Sequence, residues 1–178
     1  MASKSYVAFL RGMNLGRRRV KNEQLCACFE KLGLSDVWAF LASGNIAFRS
    51  TKTPTMLVAL IEAGLGESLG YAVPTVVRTA SELALIAAHQ PFGAQQRAQG
   101  NGKLQVGLRE GVVDAKLKRR VLALQSASDQ LAVHGSEIYW LPHEGVSASE
   151  VDLAAIDGVG KITVRTQRTL QRLAARLA

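Results

Sequence analysis

The chain has 178 residues, 48% apolar and 20% charged, the balance of a globular protein of one domain or two small ones. With Gly at 16 residues and Pro at 4, collagen-like and mucin-like chains are excluded. Lys plus Arg total 22 against 14 Asp plus Glu, a formal charge of +8, which favours anionic partners such as nucleic acid, nucleotides or other phosphate esters, and also favours solubility.

No apolar run reaches the about 20 residues that span a bilayer. The start, MASKSYVAFLRG, lacks a signal peptide's order of charge, apolar run and cleavage site. A soluble, cytoplasmic protein with no membrane partner is expected. The positive charge is uneven: residues 1–50 carry eight basic and three acidic side chains, and nothing acidic follows Asp157. The densest clusters are Arg17-Arg18-Arg19 with Lys21, and the series Lys161, Arg165, Arg168, Arg172, Arg176.

In chain order, Tyr6–Leu10 is apolar and rich in strand formers, and a Gly-bearing loop follows it. Leu25, Cys28, Phe29 and Leu32 recur at helical spacing, with Asn22 as N-cap and Gly33 at the C-terminal end. Cys26 and Cys28 on that helix point apart, so neither a local disulfide nor a zinc site is expected, only small thiols. Val37–Leu41 and Ile46–Phe48 are strands joined across Ser43-Gly44-Asn45. Pro54 opens a helix that runs to about Gly70, and Val73–Arg78 is a strand.

Strand, helix, strand, strand, helix, strand is the split βαβ, or ferredoxin-like, order, with helices covering one face of an antiparallel sheet. A helix over Ser81–His89, capped by Ser81, and a polar linker over Gln95–Gly102 come next. The second half repeats the order: strand Leu104–Leu108, helix Asp114–Gln125, hairpin Gln130–Val133 with Glu137–Leu141, short helix Val151–Ile156, strand Gly160–Val164 and helix Thr166–Leu177. The halves read alike in element order, not in residues. The fold expected is α+β: two ferredoxin-like units in tandem, 1–79 and 103–178, joined by a helix and loop over 80–102, with an additional C-terminal helix.

Particular strings carry a resemblance. Tyr6–Gly16 reads YVAFLRGMNLG and Val37–Phe48 reads VWAFLASGNIAF. They are followed by Val73-Pro74-Thr75-Val76-Val77-Arg78-Thr79, Gln90-Pro91-Phe92 and Thr163-Val164-Arg165 with Thr169 and Leu173. Together these resemble an uncharacterised bacterial family catalogued as domain of unknown function 1697. The resemblance implies two ferredoxin-like units and no established activity. The chain departs from the family pattern twice. Ser149-Glu150-Val151 stands where the family has Ser-Lys-Leu, and Arg165-Thr166-Gln167-Arg168-Thr169 where it has Arg-Asn-Trp-Asn-Thr.

Three constellations are candidates for a ligand. Arg11, Gly12, Asn14, Gly16 and Arg17 form a glycine-bearing loop between strand and helix. Such a loop can aim backbone N–H groups at an anion, while Arg grips phosphate or carboxylate bidentately. The same glycines equally serve turns. Neither GxxxxGK[ST] nor GxGxxG is present. Ser43 and Asn45 offer a hydroxyl and an amide, and equally make a hairpin turn. Sequence alone does not place this turn beside Arg11. Arg168, Arg172 and Arg176 line one face of the last helix, either a solvated stripe or a phosphate-tracking surface. With Arg18, Arg19, Lys21 and Arg165 they make up the basic surface. His89, His134 and His143 are scattered, His89 ending a helix where a cation suits the dipole.

No general acid or base stands out, so catalytic residues are not assigned, and no cofactor or metal is expected. The function expected is binding of a phosphate-bearing ligand, nucleic acid first. The alternatives are an enzyme or sensor for a small phosphorylated or carboxylated metabolite, and an assembly protein with no small ligand.

Overall fold

The computed structural model describes residues 2–13, 20–42, 44–99, 103–153 and 162–178. They fall into two compact units, Met1–Leu83 with Arg176–Ala178, and Ala84–Ala175.

The first unit contains β1 (Lys4–Leu10), α1 (Asn22–Lys31), β2 (Ser35–Ala39), β3 (Asn45–Ser50), α2 (Pro54–Leu69) and β4 (Thr75–Thr79). Its sheet has the order β2-β3-β1-β4, antiparallel throughout. One face carries Tyr6, Ala8, Leu10, Ile46, Phe48 and Val77, which pack on Leu25 and Phe29 of α1 and Leu57, Ile61 and Leu65 of α2. Phe48 anchors this layer, stacked on Tyr6 at 5.8 Å and met edge-on by Phe29 at 5.5 Å. Each Val, Leu, Ile or Phe side chain among them stabilises by about 1.5–3 kcal/mol when buried. The opposite face, with Val7, Phe9, Ala47 and Val76, is equally buried.

The helix ends show how local chemistry sets the boundaries. Thr53 accepts from Met56 N with Pro54 at the first helical position, and Gly70 closes α2 at φ 76°. Asn22 does not cap α1: Lys21 is the N-cap, its N–H bound by Gln24 Oε1, and the Asn22 amide donates instead to Leu41 O at 3.2 Å. Nor does Ser81 cap α3 (Ala80–Ala88). Thr79 and Glu82 do so reciprocally, Glu82 N donating to Thr79 Oγ1 and Thr79 N to Glu82 Oε2.

The second unit takes in the end of α3, then α4 (Ala94–Arg97), β5 (Gln105–Leu108), α5 (Ala115–Leu122), β6 (Asp129–His134), β7 (Glu137–Pro142), a 3-10 turn (Val146–Ala148), β8 (Thr163–Thr166) and most of α6 (Gln167–Leu177). Its sheet order, β6-β7-β5-β8, matches the first. The fold is α+β, two ferredoxin-like units in tandem with a C-terminal helix. The Val151–Ile156 helix and the linker reach into 154–161 and 100–102, outside the described residues.

The halves also share residues. Val77-Arg78-Thr79 and Val164-Arg165-Thr166 occupy the same register, Arg78 opposite Val7 and Arg165 opposite Val106. In both copies the Thr hydroxyl then accepts from the N–H three residues on, starting α3 and α6.

The end of α3 is closed by side chains. Tyr139 Oη donates to Ile86 O, and Gln167 Nε2 to Ala87 O at 3.3 Å and His89 O at 2.7 Å. Gln167, at a departure from the family pattern, thus ties α6 to the end of α3. Ser149, in the other variant string, donates to the buried Asp129 at 2.6 Å. Val151 packs on the core of this unit.

Candidate functional site

The register of β1 decides where the sequence motifs meet. Phe9 pairs with Asn45, and Leu10 with Thr75. The C-terminal end of β1, the β2–β3 turn and the start of β4 therefore share one end of the sheet. Leu10 N donates to Gly44 O at 2.8 Å, and Arg11 N to Pro74 O at 2.9 Å. The Asn22–Leu41 bond brings the start of α1, with Lys21, to the same place. Two motifs some thirty residues apart in sequence thus come together.

Gly44 makes this approach possible. It sits at φ 68°, and a Cβ there would lie 2.8 Å from Met13 Cγ and 3.0 Å from Leu10 Cβ. Leu41, with φ 58°, is 43% exposed at the tip of the same turn. A large side chain held in the left-handed region is strain that the surrounding bonds sustain.

The candidate side chains divide. Arg11 is half-buried, and its guanidinium has no hydrogen-bond or ion-pair partner among the described residues. Lys21 is exposed. Asn45 is fully buried and its amide donates to Phe40 O at 3.0 Å, so it holds the turn together. Asn14, Arg17, Arg18, Arg19 and Ser43 lie outside the described residues.

The corresponding loop of the second unit is built differently. It has a glycine at the matching place, Gly111 at φ 72° against Gly12 at 73°. Val113 N donates to Gly135 O, joining this loop to the β6–β7 turn as Leu10 joins Gly44. Here, however, Arg109 Nη1 folds back onto Gly111 O at 2.9 Å and Val112 O at 3.0 Å. In the register that matches Gly12 with Gly111, the place of Arg11 is held by Glu110, so the second unit does not repeat the first unit's cation there.

The basic surface is less uniform than its sequence implies. Arg165 is not a surface cation: Nη1 donates to Thr163 Oγ1 and Val164 O, both at 2.8 Å, and burial lowers its pKa to about 10. Arg168, Arg172 and Arg176 are exposed on α6. Arg176 lies 4.3 Å from the centroid of the Trp38 ring, a cation–π contact. A second cationic element went unremarked in sequence, α5, with Lys116, Lys118, Arg119 and Arg120 all exposed. The signal was the string KLKRR, four cations in five residues on a helix capped by Asp114.

Other features are less suited to an anion. An open groove of about 550 Å³ between α1 and α2 has Cys28 and Gly64 in its lining, with Gln24, Lys31, Glu67 and Ser68 around them. Lys31 and Glu67 place opposite charges there. Both cysteines are free thiols. Burial, then Glu30, raises the pKa of Cys26, which keeps it protonated.

Two of the histidines are not scattered. The His89 and His134 rings stack at 4.2 Å, with Tyr139 4.9 Å from His89. Burial, then the neighbouring His134, lowers the pKa of His89 below 6.5. It follows α3 as a neutral ring and not as the helix-end cation that the sequence suggested. A depressed folded-state pKa means that the unfolded chain takes up the proton first as pH falls. This contribution to stability is complete above 6.5 and is lost as pH falls through the lower folded value. Urea midpoints are expected to drop as pH falls below about 7. His134→Gln removes the smaller of the two causes and should shrink that drop. An unchanged drop would show that the ring pair is not its source.

Among the described residues no helix is long and apolar enough to cross a membrane, and no three His, Cys, Asp or Glu side chains are grouped to hold a metal ion. The model of a family described as protein of unknown function (DUF1697) matches residues 3–139, and the chain belongs to that family. Among solved structures it is similar to a conserved bacterial protein, SP0830, from Streptococcus pneumoniae. The two are 20% identical over 99% of each chain, with a TM-score of 0.81, a likeness of fold. None of the curated proteins matches the chain.

Proposed function

We propose that this protein binds a phosphate-bearing partner, nucleic acid in the first place, at the end of the N-terminal sheet where β1 leaves for α1. The observation that carries this reading is the meeting of the Arg11 loop and the β2–β3 turn at one end of the sheet, with Arg11 half-buried and its side chain without a partner among the described residues. Arg11 would grip a phosphate through two parallel N–H bonds, and Lys21 would add a point charge. Asn14 and Arg17 of the loop motif, Ser43 of the turn, and the adjoining Arg18 and Arg19 of the basic cluster would extend the proposed contact. The net charge of +8 favours a polyanion. The reading places the protein in the cytoplasm, where Cys26 and Cys28 would stay reduced.

Fluorescence anisotropy with labelled single-stranded RNA and duplex DNA, titrated across salt, tests it. Binding should be present at low salt and weaken steeply as salt rises. Arg11→Gln should lose about tenfold or more in affinity, the loss of one charge-assisted contact. Arg17→Ala/Arg18→Ala/Arg19→Ala should lose more. Absence of binding at low salt overturns the nucleic-acid reading.

A second reading, a small phosphorylated or carboxylated metabolite, is favoured by the convergence of the β1 loop, the β2–β3 turn and the start of β4 at one sheet end. It predicts saturable thermal stabilisation that grows with ligand concentration and is lost in Arg11→Gln.

A further inference from the structure

We infer that helix α5 of the second unit is a further phosphate-backbone contact surface, separate from the Arg11 loop; the inference rests on the nucleic-acid reading above. The helix spans Ala115–Leu122 and buries Leu117 and Val121. Its other residues include Lys116, Lys118, Arg119 and Arg120, all exposed. Positions 116, 119 and 120 are related by three and four residues and share one face. No acidic residue occurs between 115 and 128. The nearest, Asp114, is committed as N-cap, its Oδ1 accepting from Leu117 N at 2.7 Å. None of the four cations has an ion-pair partner among the described residues.

The fold does not require this. The structurally equivalent helix of the first unit, α1, presents Glu23, Glu30 and Lys31 to solvent. The same packing role is thus filled by a mixed surface in one unit and an all-cationic one in the other.

Charge complementarity names the occupant. A helix of this length is about 12 Å long, and duplex DNA carries one charge per about 1.7 Å of axis. Protein interfaces are depleted in Lys and anchored by buried aromatic or apolar side chains. The 116/119/120 face has none. A membrane surface would need the apolar face of the helix, and that face is spent on the core with Leu117 and Val121.

The test compares the full chain with Lys116→Gln/Arg119→Gln/Arg120→Gln and with a control of equal charge, Lys4→Gln/Lys31→Gln/Lys52→Gln, all exposed positions of the first unit. Urea unfolding confirms that each variant is folded. Kd for a labelled duplex and a labelled single strand is followed across salt. For three lost phosphate contacts, the slope of log K against log salt should become shallower by about 2 on a single strand and nearly 3 on a duplex. The control should change it little.

If the wild type binds and the α5 variant keeps the wild-type slope while Arg11→Gln weakens binding, this inference fails and the reading stands. Equal loss in the α5 variant and the control also overturns it, because net charge alone would explain both. No binding by the wild type at low salt overturns the two together. Equal affinity for labelled polyglutamate would assign the face to an acidic protein surface instead.

Discussion

Gly44→Ala is expected to lower the unfolding free energy by about 2–5 kcal/mol. Two effects add. A non-glycine residue in the left-handed region costs about 1–2 kcal/mol. Forcing a methyl group into a packed site costs about 1–3 kcal/mol more. Here the methyl would come within 2.8 Å of Met13 Cγ, 3.0 Å of Leu10 Cβ and 3.3 Å of Leu10 O. Leu10 is 1% exposed and Met13 4%, so neither has room to withdraw. Gly33 is the internal control: it has φ 77°, and a Cβ there would meet nothing within 4 Å, so Gly33→Ala should carry only the first cost. Urea midpoints at constant slope give both values. Equal losses in the two variants would show that the Gly44 approach is not tight. A larger loss at Gly44 should come with weaker ligand binding, because the same contact brings the turn beside Arg11.

Asp129→Ala is expected to lose about 3–5 kcal/mol, the sum of two charge-assisted bonds in a buried site. Its Oδ1 accepts from Trp140 Nε1 at 2.7 Å and from Ser149 Oγ at 2.6 Å. Asp129 is 6% exposed and Trp140 3%, so truncation leaves an indole N–H buried without an acceptor. Asp129→Asn keeps an oxygen facing both donors and should lose much less. Trp140 reports on the change by fluorescence in a Trp38→Phe background, since the chain has two tryptophans. A stable Asp129→Ala with unshifted emission would sink the argument.

Much of the fold was legible because its signals are local. Thr53-Pro54, Asp114 and Gly70 mark helix ends through bonds to near neighbours, and their chemistry can be read directly. Strand order followed from the alternation of elements. What escaped depends on distant partners. Asn22 looks like an N-cap until Leu41 O, nineteen residues away, claims its amide. β2 was expected over 37–41, but its bulge between Ser35 and Trp38, with Asp36 at φ 50°, and the left-handed Leu41 shift it to Ser35–Ala39. The stacking of His89 on His134 depends on how β6 and the end of α3 are brought together, which no local pattern encodes.

The candidate site was legible as two motifs and not as one place. Arg11 and Ser43-Gly44-Asn45 each carried a turn reading that suited them equally. Only the pairing of Phe9 with Asn45 puts them at one sheet end. Asn45 then proves to be a buried turn residue, and Arg165, indistinguishable in sequence from the arginines after it, is drawn against its own strand. The repeated Val-Arg-Thr was visible in the string, but it acquires meaning only from the equal register of β4 and β8.

Arg176 over Trp38 bears on the exposed edge of the first sheet. Trp38 lies on β2, the outermost strand of its sheet, which pairs on one side only among the described residues. Such an edge, with an indole beside it, is a template for pairing with another chain, and a charge placed on it is a common safeguard. Arg176 puts a guanidinium over that ring from a position more than ninety residues beyond the last strand of the sheet. Arg176→Ala would leave every strand of this sheet in place and take the guanidinium off the indole of its edge strand; more self-association than the wild type is the expected result in light scattering, and equal scattering would show that the charge does not guard the edge.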